Sequence, residues 1–348
     1  MQNRISRLRD KFDSLGVDAI YISSRTSHRY FTKFDNGDGF LLITKEKAFA
    51  FEDFRYVEVA EELLSGTYTV LDPKKLFEVI NSEGMSILGI EDNSMTLSAY
   101  ETFKNQVTVS LKGIGNVINT MREIKDEWEI EQIRQAQIIT DNAFAHILNI
   151  ISTDITENDV AAELEYYMRK NGAEDKSFET ISINGKKTSL PHGVPGNAKL
   201  QNGFLTMDFG ATVNGYHSDM TRTVCIGKAD EEMKKLYNTV LKAQEAGLEY
   251  LKAGVSASAA DKVARDIIYE NYEGYFGHSL GHSVGLEIHE MPALSPKSDR
   301  ILVPGNVVTV EPGIYIPGKY GTRIEDLVII RENGIENLTK SPKELIEI

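Results

Sequence analysis

The sequence predicts two domains, an α/β domain followed by an α+β domain that is built from two similar halves. Before residue 112, apolar strand patterns alternate with amphipathic helix patterns. After it, a pair of helices followed by a β-hairpin occurs twice. The segment between them, residues 112–122, contains two glycines and little periodicity, which indicates a boundary. We therefore place the domains at 1–117 and 123–348, which suits a length of 348 residues.

The first domain begins with a predicted helix that carries Ile5, Leu8, Phe12 and Leu15 on one face and ends at Gly16. The alternation that follows contains strands at 17–23, 40–44, 47–51, 67–71, 86–91 and 107–111 and helices at 54–64, 73–82 and 97–105.

The second domain begins with a long predicted helix at 125–151, and residues Thr156 to Asp159 form an N-cap signature for the next helix. A strand at 178–185 and a hairpin at 204–224 follow. The same order then returns, with helices at 230–254 and 257–272, a segment rich in glycine and histidine, and a hairpin through 306–330. A core between two such halves is a natural place for a site.

The composition is typical of a folded globular protein, with 41% hydrophobic and 26% charged residues. The formal net charge of −14 has the wrong sign for binding nucleic acid through a basic surface. No apolar run approaches the roughly 18 residues of a membrane-spanning helix, and the first residues lack a signal-peptide pattern. Because the single cysteine, Cys225, has no internal disulfide partner, we expect a cytoplasmic protein without a membrane anchor.

The first hairpin places one aspartate in each strand, although strands disfavour this residue. Its turn, Asn214-Gly215, is a strong two-residue hairpin signal. That turn fixes a register in which Asp208 lies opposite Thr221 and on the same face as Asp219. The two carboxylates then converge, unless a bulge intervenes or the hairpin lies on the surface with both aspartates solvated.

The second hairpin also contains acidic residues. Glu311 ends its first strand, and Glu325 lies on the same face of the returning strand as Arg323, whereas Asp326 points the other way. If the four acids of the two hairpins meet, each pair repels by about 4 kcal/mol at 4 Å and an effective dielectric of 20. Arg222 and Arg323 alone cannot neutralise them, so two divalent metal ions are the simplest account.

Three histidines, His278, His282 and His289, fall within twelve residues of one segment. The spacing of the first two resembles that of helical zinc ligands, but Ser279 stands where the H-E-x-x-H motif has glutamate, and the nearby glycines disfavour a helix. His192 lies in a loop with two prolines and two glycines, where binding residues are common.

The remaining histidines give weaker signals. We expect His28 and His146 to be structural hydrogen-bonding residues. The register places His217 beside Asp219, but nothing else in the sequence requires it there, and we assign it no role.

Taken together, these segments resemble the pita-bread metallopeptidases, and most closely the bacterial Xaa-Pro peptidases, prolidase and aminopeptidase P. The motifs occur in the family's order across residues 123–348, as "LPHG", "MDFGATVNGYHSDMTRT", "GHSLGHSVGLEIHE", "VEPGIY" and "TRIED". The first domain resembles the N-terminal domain of the group more weakly, through "RYFTKF" and "FEDFRYVEVAEE". The resemblance implies a pita-bread catalytic domain of two pseudo-symmetric halves after a creatinase-like α/β domain.

The resemblance also implies a ligand set for two divalent ions. Asp208 would bind one ion, Asp219 and Glu325 would bridge both, and His282 and Glu311 would complete the shell of the second. Four oxygen donors and one nitrogen suit manganese, with cobalt, iron and zinc left open.

The implied activity is hydrolysis of Xaa-Pro bonds, in dipeptides or at the N-terminus of longer peptides, by a hydroxide that bridges the metals. Glu311 would relay the proton, His278 and His289 would hold the substrate and stabilise the tetrahedral intermediate, and His192 and Arg323 would line the substrate side. For Arg323, a salt bridge to Glu325 or Asp326 is the alternative.

Two other functions are alternatives to this activity. One is a metal-independent creatinase-like amidinohydrolase, and the other is a catalytically silent binding module of the same fold. The intact ligand set argues against both. The resemblance further implies a homodimer that acts on peptides.

Overall fold

The computed structural model describes residues 1–34 and 39–348. The described chain divides into two compact units, Met1–Arg122 and Glu123–Ile348. Within the described ranges, no helix is long and apolar enough to cross a membrane.

The first unit contains six strands and seven helices among its described residues. The strands are β1 Ala19–Ile22, β2 Phe40–Thr44, β3 Ala48–Phe51, β4 Thr69–Leu71, β5 Ile87–Ile90 and β6 Ser110–Gly113. The helices are α1 Gln2–Arg9, α2 Phe12–Leu15, α3 Arg25–Thr32, α4 Val57–Leu64, α5 Leu76–Ser82, α6 Leu97–Lys104 and α7 Val117–Arg122, with a 3₁₀ turn at Pro73–Lys75.

The strands of this unit form one mixed sheet in the order β4-β3-β2-β1-β5-β6. β1 pairs antiparallel with β2 and parallel with β5. Its apolar side chains, such as Tyr21, pack in one core with Phe51 and Leu88. The predicted alternation of strands and helices is therefore confirmed, and so is the α/β class of this region.

Three details differ from the sequence prediction, and the first is α3, which lies in a segment where the sequence pattern predicted no helix. The predicted first helix is broken into α1 and α2, because the Lys11 N–H bonds to the Leu8 carbonyl, which tightens the turn between them. Ile5, Leu8 and Phe12 nevertheless stay buried, as the apolar face predicts. The segment of low periodicity also contains regular structure, since β6 ends in it and α7 occupies 117–122.

The second unit contains four long helices and thirteen strands among its described residues. The helices are α8 Glu127–Ile147, α9 Glu157–Lys170, α10 Glu231–Tyr250 and α11 Ala257–Tyr272. The strands are β7 Asp175–Lys176, β8 Ile181–Asn184, β9 Gly203–Phe209, β10 Ala211–Val213, β11 Tyr216–His217, β12 Met220–Ile226, β13 Gly281–Ser283, β14 Glu290–Leu294, β15 Val307–Val310, β16 Gly313–Ile316, β17 Tyr320–Arg323, β18 Asp326–Arg331 and β19 Gly334–Asn337. A 3₁₀ helix occupies Gly185–Ser189.

The two predicted halves are present in this unit. In the first, α8 and α9 share an apolar core with the sheet β12-β9-β8. In the second, α10 and α11 share a core with the sheet β14-β13-β15-β18-β19. Each half thus buries one helix pair against one antiparallel sheet, which leaves the strands of both halves to build the interior between them.

The hairpin register agrees with the prediction from Asn214-Gly215. Val213 pairs with Tyr216, and Asp208 pairs with Thr221. Asn214 and Gly215 both have positive φ, as the predicted turn requires. Asp219 lies between β11 and β12, at the position that the register gives it.

The N-terminus of α9 provides a test of this local structure. The Thr156 side chain accepts the N–H of Asp159, and the Asp159 carboxylate accepts the N–H of Thr156. We expect Thr156→Ala to lower the stability of the full chain by about 1 kcal/mol, because it removes an N-cap acceptor. The measurement is the midpoint of urea unfolding by circular dichroism, with Thr156→Ser, which keeps the hydroxyl, as the control. An equal loss in both variants would contradict the capping role.

Candidate metal centre

The five side chains predicted to bind metal line one pocket of about 480 Å³ in the second unit. Each half of this unit supplies strands that carry or flank some of these side chains. Asp208 lies in β9 and Asp219 just before β12. His282 lies in β13, Glu311 directly follows β15, and Glu325 lies between β17 and β18. The two hairpins therefore bring their acids together, as the convergence argument predicts.

Asp219, His282 and Glu325 form one group in the pocket, with a ligand atom of each within 4.8 Å of those of the other two. His282 Nε2 is 3.6 Å from an Asp219 oxygen and 3.4 Å from Glu311 Oε1. Two threonines orient the glutamates, since the hydroxyl of Thr221 donates to Glu325 Oε2 at 2.7 Å and that of Thr309 donates to Glu311 Oε1 at 3.1 Å.

Asp208 is paired with Arg323. The guanidinium of Arg323 donates to Asp208 Oδ2 at 2.6 Å, so its ion pair is with this aspartate and not with Glu325 or Asp326. Asp326 points away from the pocket and pairs with Arg222. The predicted opposite facing of Glu325 and Asp326 is thus confirmed.

Burial and mutual repulsion make these carboxyls weak acids. Loss of hydration, and then the charge of Glu325, raise the pKa of Asp219 well above its usual value. Loss of hydration, followed by the charge of Glu311, does the same to the pKa of Glu325. Burial raises the pKa of Glu311 to about 7, against the opposing effect of Arg323. Without a cation, these carboxyls could stay ionised only at a considerable cost in free energy.

The donor set fits a divalent metal ion. Asp208 Oδ1 is buried and has no hydrogen-bond partner in the described structure, so one oxygen of this carboxylate is available for a ligand. His282 Nδ1 donates to the Ser283 carbonyl at 3.2 Å, and its Nε2 lone pair therefore faces the acids. An imidazole fixed in this way, beside several carboxylates, is the usual form of a mixed nitrogen and oxygen metal shell.

His278 belongs to a hydrogen-bonded chain that the sequence did not reveal. Its Nδ1 donates to the Ser279 carbonyl at 2.8 Å, so its Nε2 accepts the hydroxyl of Tyr315 at 2.9 Å. Tyr315 in turn accepts from Arg323 Nη1 at 2.8 Å. Burial lowers the pKa of His278 to about 3, so the ring is neutral. Both ring nitrogens of His278 are therefore occupied by protein groups.

Tyr315 could have been found from strand alternation. Gly313 pairs with Arg323 across β16 and β17, which makes Tyr315 the diagonal neighbour of Arg323 on the same face.

His192 and His289 also line the pocket. The His289 ring lies edge-on against His282, with 4.5 Å between the ring centroids, and burial lowers its pKa. Behind this region the buried Lys125 donates to Ser283 at 2.8 Å and to Glu290 at 3.2 Å, so it ties together the two strands next to these histidines.

The other three histidines lie away from the pocket lining. His28 bonds to Glu52 inside the first unit at 2.9 Å, and His146 bonds to Glu163 at 2.7 Å and stacks on Tyr167. His217 contacts the hydroxyl of Thr212 at 3.0 Å.

Comparison with known families agrees with this geometry. Residues 131–332, more than half of the chain, match the model of metallopeptidase family M24. The chain belongs to metallopeptidase family M24. Residues 4–124 match the creatinase/prolidase N-terminal domain. The family has the pita-bread fold, and its description as a metallopeptidase family implies divalent metal ions.

Several M24 relatives match over nearly their full length. The chain is 38% identical to the Xaa-Pro dipeptidase of Pyrococcus furiosus, over 99% of this chain and 100% of the relative. Among solved structures it is similar to an Xaa-Pro dipeptidase from Bacillus anthracis, with a TM-score of 0.97, 42% identity, and coverage of 100% and 99% of the two chains. An X-Pro aminopeptidase from Thermotoga maritima gives a TM-score of 0.93 and 37% identity over 99% and 100%.

The central position of Asp219 gives a direct test of the metal site. We expect Asp219→Asn to lose its metal on dialysis, because an amide replaces the carboxylate that lies between His282 and Glu325. The metal-free variant should melt no lower than metal-free wild type, since it buries one charge fewer. Metal content by plasma mass spectrometry and thermal unfolding are the measurements, with His146→Ala as the control that keeps wild-type metal content. A variant that retained all its metal would remove Asp219 from the ligand set.

Proposed function

We propose that this chain is an exopeptidase that hydrolyses Xaa-Pro bonds with the help of two divalent metal ions. The observation that carries the proposal is the complete set of five donor side chains in one pocket. The M24 family supplies the reaction type, and the Xaa-Pro preference is taken from relatives that match over the full chain. The same intact set argues against a metal-independent creatinase-like enzyme and against a silent binding module.

The proposed metal ligands are Asp208, Asp219, His282, Glu311 and Glu325. Asp219 and Glu325 are the bridging candidates, because each lies among ligands from both halves and both are strongly repelled when no cation is present. When bound, the two ions would acidify a water and polarise the scissile carbonyl. We propose manganese as the metal, since four of the five donors are carboxylates.

The chain's own residues would bind and orient the peptide. His289 and His192 line the pocket and offer ring N–H groups to the substrate. His278 would act through Tyr315, since both of its ring nitrogens already have protein partners. Arg323 would hold Asp208 in place and form part of the substrate side.

Glu311 is the proposed proton carrier. This role is supported by its place in the pocket lining and by burial, which raises its pKa to about 7 when no metal is bound. It would take the proton from the attacking water and deliver it to the leaving nitrogen. In an Xaa-Pro bond that nitrogen carries no hydrogen of its own, so it must gain one to leave as an amine.

We further propose a division into a creatinase-like domain at 1–117 and a catalytic domain at 123–348, and a homodimer in solution. A cytoplasmic location is supported by Cys225, the only cysteine of the chain, which is buried and reduced.

The test is hydrolysis of an Xaa-Pro dipeptide and an Xaa-Pro-Yaa tripeptide by metal-free protein during titration with Mn²⁺. We expect activity to rise until about two ions are bound per chain, because neither ion alone neutralises the carboxylates. The preferred peptide separates a dipeptidase from an aminopeptidase. A dipeptide with alanine in place of proline is the matched control, and equal turnover of both dipeptides would contradict the proline preference.

Two ions bound tightly without hydrolysis of either peptide would contradict the proposed substrate. Failure to bind metal at all would contradict the whole proposal.

A further inference from the structure

Arg222 is the largest fully buried side chain described in the second unit, and the metal chemistry does not use it. All five of its N–H donors are engaged. They bond to the Pro342 carbonyl at 3.0 Å, the Thr221 carbonyl at 3.0 Å, the Glu325 carbonyl at 2.6 Å, Asp326 Oδ1 at 2.7 Å and the Ser341 carbonyl at 2.8 Å. A guanidinium with every donor fixed has one orientation only.

Asp326 completes the arrangement. Its second oxygen accepts from Asn337 at 2.7 Å and from Lys343 at 3.1 Å, and only 1% of the residue is exposed. The positive charge of Arg222 is thus neutralised by the adjacent carboxylate of Asp326. The pair therefore acts mainly through geometry, in contrast to Arg323, whose charge faces the carboxylates of the pocket.

The geometry concerns the two bridging candidates. Arg222 lies three residues after Asp219, and Asp326 directly follows Glu325. The guanidinium bonds to the main-chain carbonyls of Glu325 and of Thr221, and the Thr221 hydroxyl holds the Glu325 carboxylate. The Glu325 N–H also bonds to the Thr221 carbonyl at 3.1 Å. Arg222 therefore joins β12, the strand that directly follows Asp219, to the segment that carries Glu325.

Stability alone does not account for this pair. Apolar residues of similar volume are often as stabilising as a buried ion pair, because both charges lose their hydration. A fixed fork of hydrogen bonds supplies a defined spacing, which apolar packing does not. That spacing matters here because the ligand atoms of Asp219 and Glu325 lie within 4.8 Å of each other, a distance at which two carboxylates repel.

We propose that Arg222 is a positioning residue that sets the distance between Asp219 and Glu325, so that the metal site is already assembled in the metal-free protein. The inference rests on the metal-dependent function proposed above. It adds a residue that binds neither metal nor substrate but determines how tightly the metal is held.

The chain offers a matched control. Asp141 also holds the segment at 340–341, through the N–H groups of Lys340 and Ser341 and the Ser341 hydroxyl. In the described part of the chain, Asp141 makes no hydrogen bond to Asp219 or Glu325. Asp141→Asn should therefore loosen the same segment without changing the spacing of Asp219 and Glu325.

The experiment measures Mn²⁺ affinity from the electron paramagnetic resonance signal of free Mn²⁺. The proteins are wild type, Arg222→Lys and Asp141→Asn, each shown to be folded by circular dichroism. We expect both variants to melt at lower temperature than wild type and only Arg222→Lys to bind Mn²⁺ more weakly, by about 10- to 100-fold. At saturating Mn²⁺, Arg222→Lys should recover most of the wild-type kcat, because the reacting groups are unchanged.

Wild-type affinity in folded Arg222→Lys would overturn the inference, and so would an equal loss of affinity in Asp141→Asn. If Arg222→Lys does not fold, Asp326→Asn takes its place, with weakened binding expected and unchanged binding contradicting the role. Wild-type protein that bound no Mn²⁺ would instead contradict the proposed function, so the two failures are distinguishable.

Discussion

Four carboxylates from two hairpins share one pocket, and the repulsion among them is the constraint on which the rest of the second unit depends. Burial and the neighbouring acids raise the pKa of Asp219 and Glu325 well above their usual values. In water such groups would separate, so the protein must hold them by other means. Threonine hydroxyls, the Arg323 guanidinium and the Arg222 fork each restrain one carboxylate or the backbone that carries it. A divalent cation would relieve the repulsion among the carboxylates, which couples metal binding to the stability of the site.

The repetition of a helix pair and a hairpin explains how four carboxylates reach one pocket. Each half packs two helices against an antiparallel sheet, and each sheet presents a hairpin to the interior between the halves. A cluster assembled from two rigid sheets is held more firmly than one built on a single loop. Close approach of the strands is part of this arrangement. A side chain in place of Gly281 would collide with the Thr309 carbonyl, so the residue before His282 must be glycine.

The sequence predicted much of this because the decisive signals were local. The Asn214-Gly215 turn fixed the register that places Asp208 opposite Thr221, and period-two alternation separated Glu325 from Asp326. The sequence could not predict contacts between residues that are far apart in the chain. The pairing of Arg323 with Asp208 spans 115 positions and that of Arg222 with Asp326 spans 104, and neither follows from spacing. Tyr315 follows from the same alternation once Gly313 is paired with Arg323, and the break between α1 and α2 depends on a single tightened turn.

The proposed function requires these carboxylates to hold two divalent cations between the halves. Anomalous X-ray diffraction at the manganese absorption edge, from crystals grown with Mn²⁺, tests it most directly. We expect two anomalous peaks in the pocket, both in contact with the carboxylates of Asp219 and Glu325. A pocket without anomalous peaks in protein that hydrolyses peptides, or peaks that contact neither carboxylate, would contradict it.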